Sequence, residues 1–317
     1  MPLREKAFYA TQKIELLTNT RATGLDVKRQ EINLAGQPPL RYDQLLLALG
    51  GTPNLLPKLP GHDLAGVLPL RTHAGADALL AATKDAKQVV VIGNSFIGME
   101  AASSLIGEGR AVTVIAQEKV PFERVLGPEV GAMFQKMHEA QGVKFEIEAE
   151  VTELVGADGH VTGVRLKTGR TLPADAVVLG VGVRPATDFL KEALPLEKDG
   201  GLTADAYLQV AENVYVAGDI AHFPLAATGQ PARIEHWRLA QQHGRVAARN
   251  MLGMKEKFVA APYFWTQQYG KSLRYAGHAT KPDETRILGD LAGQSFWRCT
   301  WKPGALRPWP AWAATRR

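Results

Sequence analysis

The stretch Val89-Val90-Val91-Ile92-Gly93-Asn94-Ser95-Phe96-Ile97-Gly98-Met99-Glu100 decides the fold. Four consecutive β-branched residues make a short strand that is apolar on both faces, as a strand inside a parallel sheet must be. Gly93 ends it in a sharp turn, and Phe96–Gly107 reads as a helix with Ala101, Ala102 and Ser103 on a close-packing side. Strand, glycine turn and helix in this order are the setting in which a G-x-G-x-x-G spacing means dinucleotide binding. Gly93 permits the turn and Gly98 lets the helix press on the strand. The first helical N–H groups, around Ser95, Phe96 and Ile97, then face a pyrophosphate. Ser95 stands where the second glycine is usual. Its Cβ takes room from the phosphates, but its hydroxyl can donate a hydrogen bond. A purely structural turn is the competing reading. A hydrolase nucleophile elbow is rejected on spacing, because position 97 is Ile and not Gly.

Working outward, Ala111–Ile115 is a second strand, residues 128–141 a second helix, and further strands follow at 143–147, 150–155, 161–166 and 176–181. Alternation of strand and helix at this spacing calls for a parallel sheet with helices on its faces. The acidic residue expected near position 116 to hold ribose hydroxyls is absent. Glu118 can substitute, whereas Lys119 and Arg124 suit a 2′-phosphate; NADH is favoured over NADPH. Before this unit, residues 14–17, 22–27, 31–34 and 42–49 read as strands, and the proline-rich stretch 53–69 as a linker. After it, 213–217 is a strand closed by Gly218-Asp219, and 233–252 is the longest amphipathic helix pattern.

Composition narrows the class. The 317 residues are 45% hydrophobic and 22% charged, with a formal charge of +5, which suits a soluble globular chain of more than one domain. No compact Lys/Arg block points to nucleic acid, and no apolar run is long enough for a membrane span. Cys299 is the sole cysteine. Disulfide scaffolds and cysteine zinc sites are excluded, no metal is expected, and a reducing cytoplasm is the expected compartment.

Three more pieces surround the dinucleotide unit: Leu47-Ala48-Leu49-Gly50-Gly51-Thr52-Pro53, Val181-Gly182-Val183-Arg184-Pro185 and Val214-Tyr215-Val216-Ala217-Gly218-Asp219. With Arg233-Ile234-Glu235-His236-Trp237 and Pro262-Tyr263-Phe264-Trp265-Thr266, they resemble the FAD-dependent pyridine nucleotide oxidoreductases. The branch is the apoptosis-inducing-factor-like one, close to the ferredoxin reductases of oxygenase systems, and the resemblance covers about residues 8–296. It implies an α/β fold: two Rossmann-like domains, binding FAD and NAD(P), and the start of a small α+β domain. The segments are 1–69 and 189–254 for the FAD domain, 70–188 for the NAD(P) domain and 255–317 for the last. It implies that Gly50, Gly182 and Gly218 shape cofactor turns and that Asp219 accepts from the ribityl hydroxyls. Glu100 then lies beside the isoalloxazine and the nicotinamide, and backbone N–H groups around Glu235, His236 and Trp237 face the flavin pyrimidine. Trp237 and Trp265 either pack on the flavin or are core aromatics. Electrons would leave singly for an iron–sulfur protein, a ferredoxin or Rieske protein.

Two departures qualify the resemblance. Nothing before Gly93 resembles the β-α-β unit that holds the FAD pyrophosphate. The chain joins the FAD domain in mid-fold, at about Leu3 to Tyr9, without the lysine expected to partner Glu100. From Trp297 to Arg317 the sequence is rich in Trp, Pro and Arg without periodicity, as if translated out of frame. Weak FAD retention is therefore expected. A truncated, inactive chain keeping at most nicotinamide binding stands as the alternative to a working reductase.

Overall fold

The computed structural model describes residues 4–279, 284–301 and 312–316. The chain divides into two compact units, residues 52–184 with 261–317, and residues 1–51 with 185–260.

In the first unit, strands β1 (Val67–Pro69), β2 (Gln88–Ile92), β3 (Ala111–Ile115), β4 (Lys144–Glu146) and β5 (Ala176–Leu179) form one sheet in the order β1-β5-β2-β3-β4. Every pairing is parallel. Helices α1 (His73–Thr83), α2 (Phe96–Gly107) and α3 (Glu123–Glu139) connect successive strands, and a three-stranded antiparallel sheet leads from β4 to β5. Strand alternation sorts the core into two layers. Val89, Val91, Val112, Val114 and Val178 pack with Met99 and Ala102 on one face. Val90, Ile92, Ile115, Val177 and Leu179 pack with Leu154 and Val164 on the other.

Strands β6 (Tyr263–Gln268), β7 (Lys271–Ala276), β8 (Glu284–Asp290), β9 (Ser295–Trp301) and β10 (Trp312–Arg316) form a second sheet in the order β6-β7-β10-β9-β8. Its Leu273, Tyr275 and Phe296 join the core of α2. Of the atypical tail, residues 302–311 and Arg317 lie outside the described residues, as does Leu3 at the other end.

The second unit pairs Leu45–Leu47 with Val214–Val216 in parallel. Val214 and Val216 face a cluster with Leu45 and Leu47, while Tyr215 faces helix α4 (Trp237–Met251) through Leu239 and Val246.

The structure amends several boundaries. Val67–Pro69, read as linker, is the edge strand β1, where the N–H that proline lacks is no loss to the sheet. Helix α1 had no reading from the sequence; its first turn is capped by the Thr72 hydroxyl, which accepts from Gly75 N–H at 3.0 Å. Residues 14–17 form no strand, and Ile14, Leu16 and Leu17 are exposed. Helix α3 starts before Pro128 because Gly127, at φ +76°, breaks it and Pro128 restarts it. Helix α4 starts at Trp237 because Pro231–Arg233 is a strand. No helix among the described residues is long and apolar enough to cross a membrane.

A close backbone approach joins α2 to the sheet. A Cβ on Gly98 would stand 2.2 Å from the Gly93 carbonyl oxygen, and one on Gly93 2.4 Å from that of Gly180. Gly98→Ala is expected to destabilise the chain by about 1–3 kcal/mol in urea unfolding, as overpacked cores do. Gly107→Ala, whose Cβ meets nothing within 4 Å, is expected to cost nothing.

Candidate functional site

A cleft of about 880 Å³ opens at the carboxyl ends of β2, β3 and β5, and Gly93, Ser95, Ala116, Glu118 and Gly180 are among its lining residues. Its size is that of a cofactor site, and open α/β sheets bind ligands at this end. Ser95 is the N-cap of α2, but its hydroxyl makes no capping bond and turns to the Gly180 carbonyl at 3.4 Å. The first-turn N–H groups of α2 are thus left to a ligand. Asn94, 4% exposed and also lining the cleft, has a buried Nδ2 with no hydrogen-bond partner. A buried amide donor costs free energy until something accepts from it, and a phosphate or ribose oxygen would. The residues present therefore fit a dinucleotide.

Of the other expected residues, Phe96 turns its ring inward, stacked on Phe122 at 4.7 Å and edge-on to Phe264 at 5.0 Å. Glu118 is paired with Arg124 at 2.7 Å, so the two groups that suited different nicotinamide dinucleotides meet each other. Gly182, at φ +82°, is pinned by Asn54, whose N–H donates to its carbonyl at 3.0 Å and whose Nδ2 donates to Val181 O at 3.1 Å. Glu100 is on α2 and Trp265 on β6, both exposed.

The second unit gathers the remaining residues. Gly218 has φ +75°, and its N–H donates to His243 Nδ1 at 3.3 Å. His243 is fully buried between the rings of Phe223 and Phe258, each 4.5 Å away. Arg233 donates through Nη1 to the Asp219 carbonyl at 2.9 Å and to Glu235 Oε1 at 2.6 Å, and through Nε to Asp199 at 2.6 Å. Burial opposes ionisation of Asp199, yet Arg233, the Gly201 N–H and His222 together hold its carboxyl well below the usual carboxylate range. His236 is the N-cap of α4, its ring accepting from Arg238 N–H at 3.3 Å. Burial, then the Arg238 charge, lowers its pKa. Trp237 beside it is 57% exposed, so it is no core aromatic. Gly50, at φ +65°, accepts from Ala186 N–H.

Gly218, Asp219 and the α4 amino terminus fit the ribityl and flavin half of FAD. Gly218 tolerates no side chain easily, since a Cβ would stand 3.1 Å from that of Ala240. For the adenosine half, the described residues of this unit supply no second strand–glycine turn–helix cradle. Sequence reasoning passed over Asn54, Asn94, Gly180, Arg233 as an anchor, and His243. Only Asn94, inside the glycine motif, carried a local signal. No group of His, Cys, Asp and Glu among the described residues can hold a metal ion.

The chain is similar to known proteins. The profile of the family described as pyridine nucleotide-disulphide oxidoreductase covers residues 3–244. Apoptosis-inducing factor 3 of Mus musculus is 38% identical over 299 residues, 93% of this chain and 49% of that one. The chain thus spans about half the length of that relative. A putidaredoxin reductase of Pseudomonas putida is 32% identical over 299 residues, 93% of this chain and 71% of its own. The crystal structure of a ferredoxin reductase from Rhodopseudomonas palustris superposes with a TM-score of 0.91 at 30% identity, covering 99% of this chain and 76% of that one. The chain belongs to the pyridine nucleotide-disulphide oxidoreductase family, and its fold is the α/β fold of FAD- and NAD(P)-binding reductases.

Burial makes the histidines acid-sensitive. It lowers both His138 and His243 to about 4, so the unfolded chain binds more protons between pH 6.5 and 4. Their stabilisation is complete above about pH 6.5 and is lost as pH falls toward 4, on the order of 3 kcal/mol each. Thermal unfolding followed at pH 7, 5.5 and 4.5 is expected to show Tm falling throughout. A flat profile would contradict this.

Proposed function

We propose that this chain is the electron-transfer core of an NAD(P)H-dependent flavoprotein reductase. When bound, FAD would accept a hydride from the nicotinamide and release electrons singly to an iron–sulfur acceptor, a ferredoxin or Rieske protein. The observation that carries this reading is the cleft at the α2 amino terminus, with its buried Asn94 amide lacking an acceptor. The α2 N–H groups and Ser95, Phe96 and Ile97 would bind the pyrophosphate, with Gly93 and Gly98 giving it room. Glu100 would be the catalytic carboxylate beside the reacting rings. Gly182 would shape the nicotinamide end, and Gly50, Gly218 and Asp219 the ribityl end of FAD. N–H groups around Glu235, His236 and Trp237 would face the pyrimidine, and Trp237 and Trp265, both solvent-exposed, would cover the flavin.

The relatives support this reading, since they include proteins named putidaredoxin reductase and rubredoxin reductase. This reading assigns an FAD-binding part to residues 1–69 and 189–254, an NAD(P)-binding part to 70–188 and a last part to 255–317, whereas the compact units group residues 52–69 with 70–184. Glu118 would favour NADH by accepting from ribose hydroxyls, with Arg124 fixing its carboxylate. A cytoplasmic setting suits the lone, buried Cys299 thiol.

A second reading is a nicotinamide-binding unit that does not hold FAD. What supports it is that every lining residue of the dinucleotide cleft belongs to the first unit.

Visible absorption of the purified chain, with FAD supplied and NADH then added anaerobically, separates the two. A flavin band that elutes with the protein and bleaches on NADH supports the reductase. A colourless chain that still binds NADH supports the second reading. Glu118→Ala is expected to narrow a preference for NADH over NADPH by about tenfold, read as the ratio of their Kd values.

A further inference from the structure

Glu100 ends a continuous chain of five hydrogen-bonded side chains. Tyr269 OH meets His138 Nδ1 at 2.8 Å, and His138 Nε2 meets Gln268 Oε1 at 2.6 Å. Gln268 Nε2 donates to Thr266 Oγ1 at 3.0 Å, and Thr266 Oγ1 donates to Glu100 Oε1 at 2.6 Å. The three middle members are almost wholly buried, with Thr266 2%, Gln268 1% and His138 0% exposed. Only the two ends approach solvent.

The inventory of donors and acceptors fixes the direction of every link. The Thr266 hydroxyl donates to the Glu100 carboxyl oxygen. That hydroxyl oxygen then accepts from the Gln268 amide nitrogen, which turns the amide oxygen toward His138. His138 must donate from Nε2, and its Nδ1 is left to accept from the Tyr269 hydroxyl. Burial keeps His138 neutral and pushes Tyr269 up to about 12, so both residues hold the protons this direction requires. All four bonds therefore point the same way, toward the carboxylate.

The sequence builds this chain from three elements. Residues two apart on β6 share a face, which puts Thr266 and Gln268 inside together. Tyr269 and Gly270, at φ +52° and +72°, make the tight turn into β7 and aim the phenol at His138. His138 comes from the last turn of α3, and Glu100 from the second turn of α2.

We propose that Thr266, Gln268 and His138, anchored by Tyr269, are positioning residues that hold the Glu100 carboxylate in a single orientation for the reaction. A buried polar chain with its members satisfied is stiff. An exposed glutamate on its own samples several rotamers, and misplacement of a reacting group is costly in rate. The inference rests on the reading of Glu100 as the catalytic carboxylate.

The test has a part that needs no cofactor. In protein labelled with ¹⁵N-histidine, His138 is expected as the neutral Nε2–H tautomer at pH 7. The Nδ1–H tautomer or a charged ring would overturn the chain's direction, whatever Glu100 does. The carboxyl ¹³C signal of Glu100, assigned by its loss in Glu100→Gln, is expected to move in Thr266→Val and Gln268→Met but not in Thr266→Ser. An unmoved signal in both variants would overturn the proposal.

The second part is single-turnover flavin bleaching by NADH with FAD supplied. Thr266→Val is expected to lower the limiting rate about tenfold with the Kd for NADH within about twofold, and Thr266→Ser to restore it. In the Glu100→Gln background, Thr266→Val should cost nothing further. If Glu100→Gln alone leaves the rate unchanged, the catalytic reading fails and this proposal with it. If Glu100→Gln slows bleaching and neither Thr266→Val nor Gln268→Met does, only the positioning role fails.

Discussion

Three glycines set the distance on which the dinucleotide cleft depends. Gly98 of α2 lies against the Gly93 carbonyl, and Gly180, just after β5, lies against Gly98, with hypothetical Cβ contacts of 2.2 and 2.9 Å. Any side chain at these positions would push the helix off the sheet. Because none is there, the α2 amino terminus sits directly over the strand ends, and its unpaired N–H groups open into the cleft. The packing that closes the core and the geometry that leaves the α2 N–H groups open to the cleft are thus one contact. That is why a helix with few polar residues lies at the centre of the site.

The second unit solves a similar problem with side chains. The turn at Gly218-Asp219 lies against helix α4, whose Ala240 leaves no room for a side chain at Gly218. From that helix the buried His243 imidazole accepts from the Gly218 N–H, and one guanidinium ties the Asp219 carbonyl to two carboxylates. Truncating Arg233 would take from Asp199 and Glu235 the one guanidinium they share, so the arrangement is held as a set. The same economy appears around His138 in the first unit, where a buried polar chain ends at an exposed carboxylate.

The parallel sheet was legible because its strands are buried on both faces, which writes an unbroken apolar run such as Val89 to Ile92. Phe96–Gly107 and Ala111–Ile115 were read to the residue, since a glycine turn and a β-branched run mark their ends. Strand β1 was hidden by the prolines around it, and α1 by a weakly amphipathic, alanine-rich sequence. The site motifs were visible at Gly93 and Gly218, which take positive φ, and at Gly98, where close packing leaves no room for a side chain. Their supports were not. His243 and Gly218 are 25 residues apart, and Thr266 and Glu100 are 166 apart. Such contacts exist only once the chain has folded, and neither periodicity nor spacing encodes them.

The most direct test of the glycine-built cleft is calorimetric titration of the purified chain with NADH, beside the Gly93→Val variant. One saturable site in the native chain, lost in a variant that still unfolds cooperatively, is the result expected. Equal binding by both chains, or none by the native one, would contradict the assignment of the cleft.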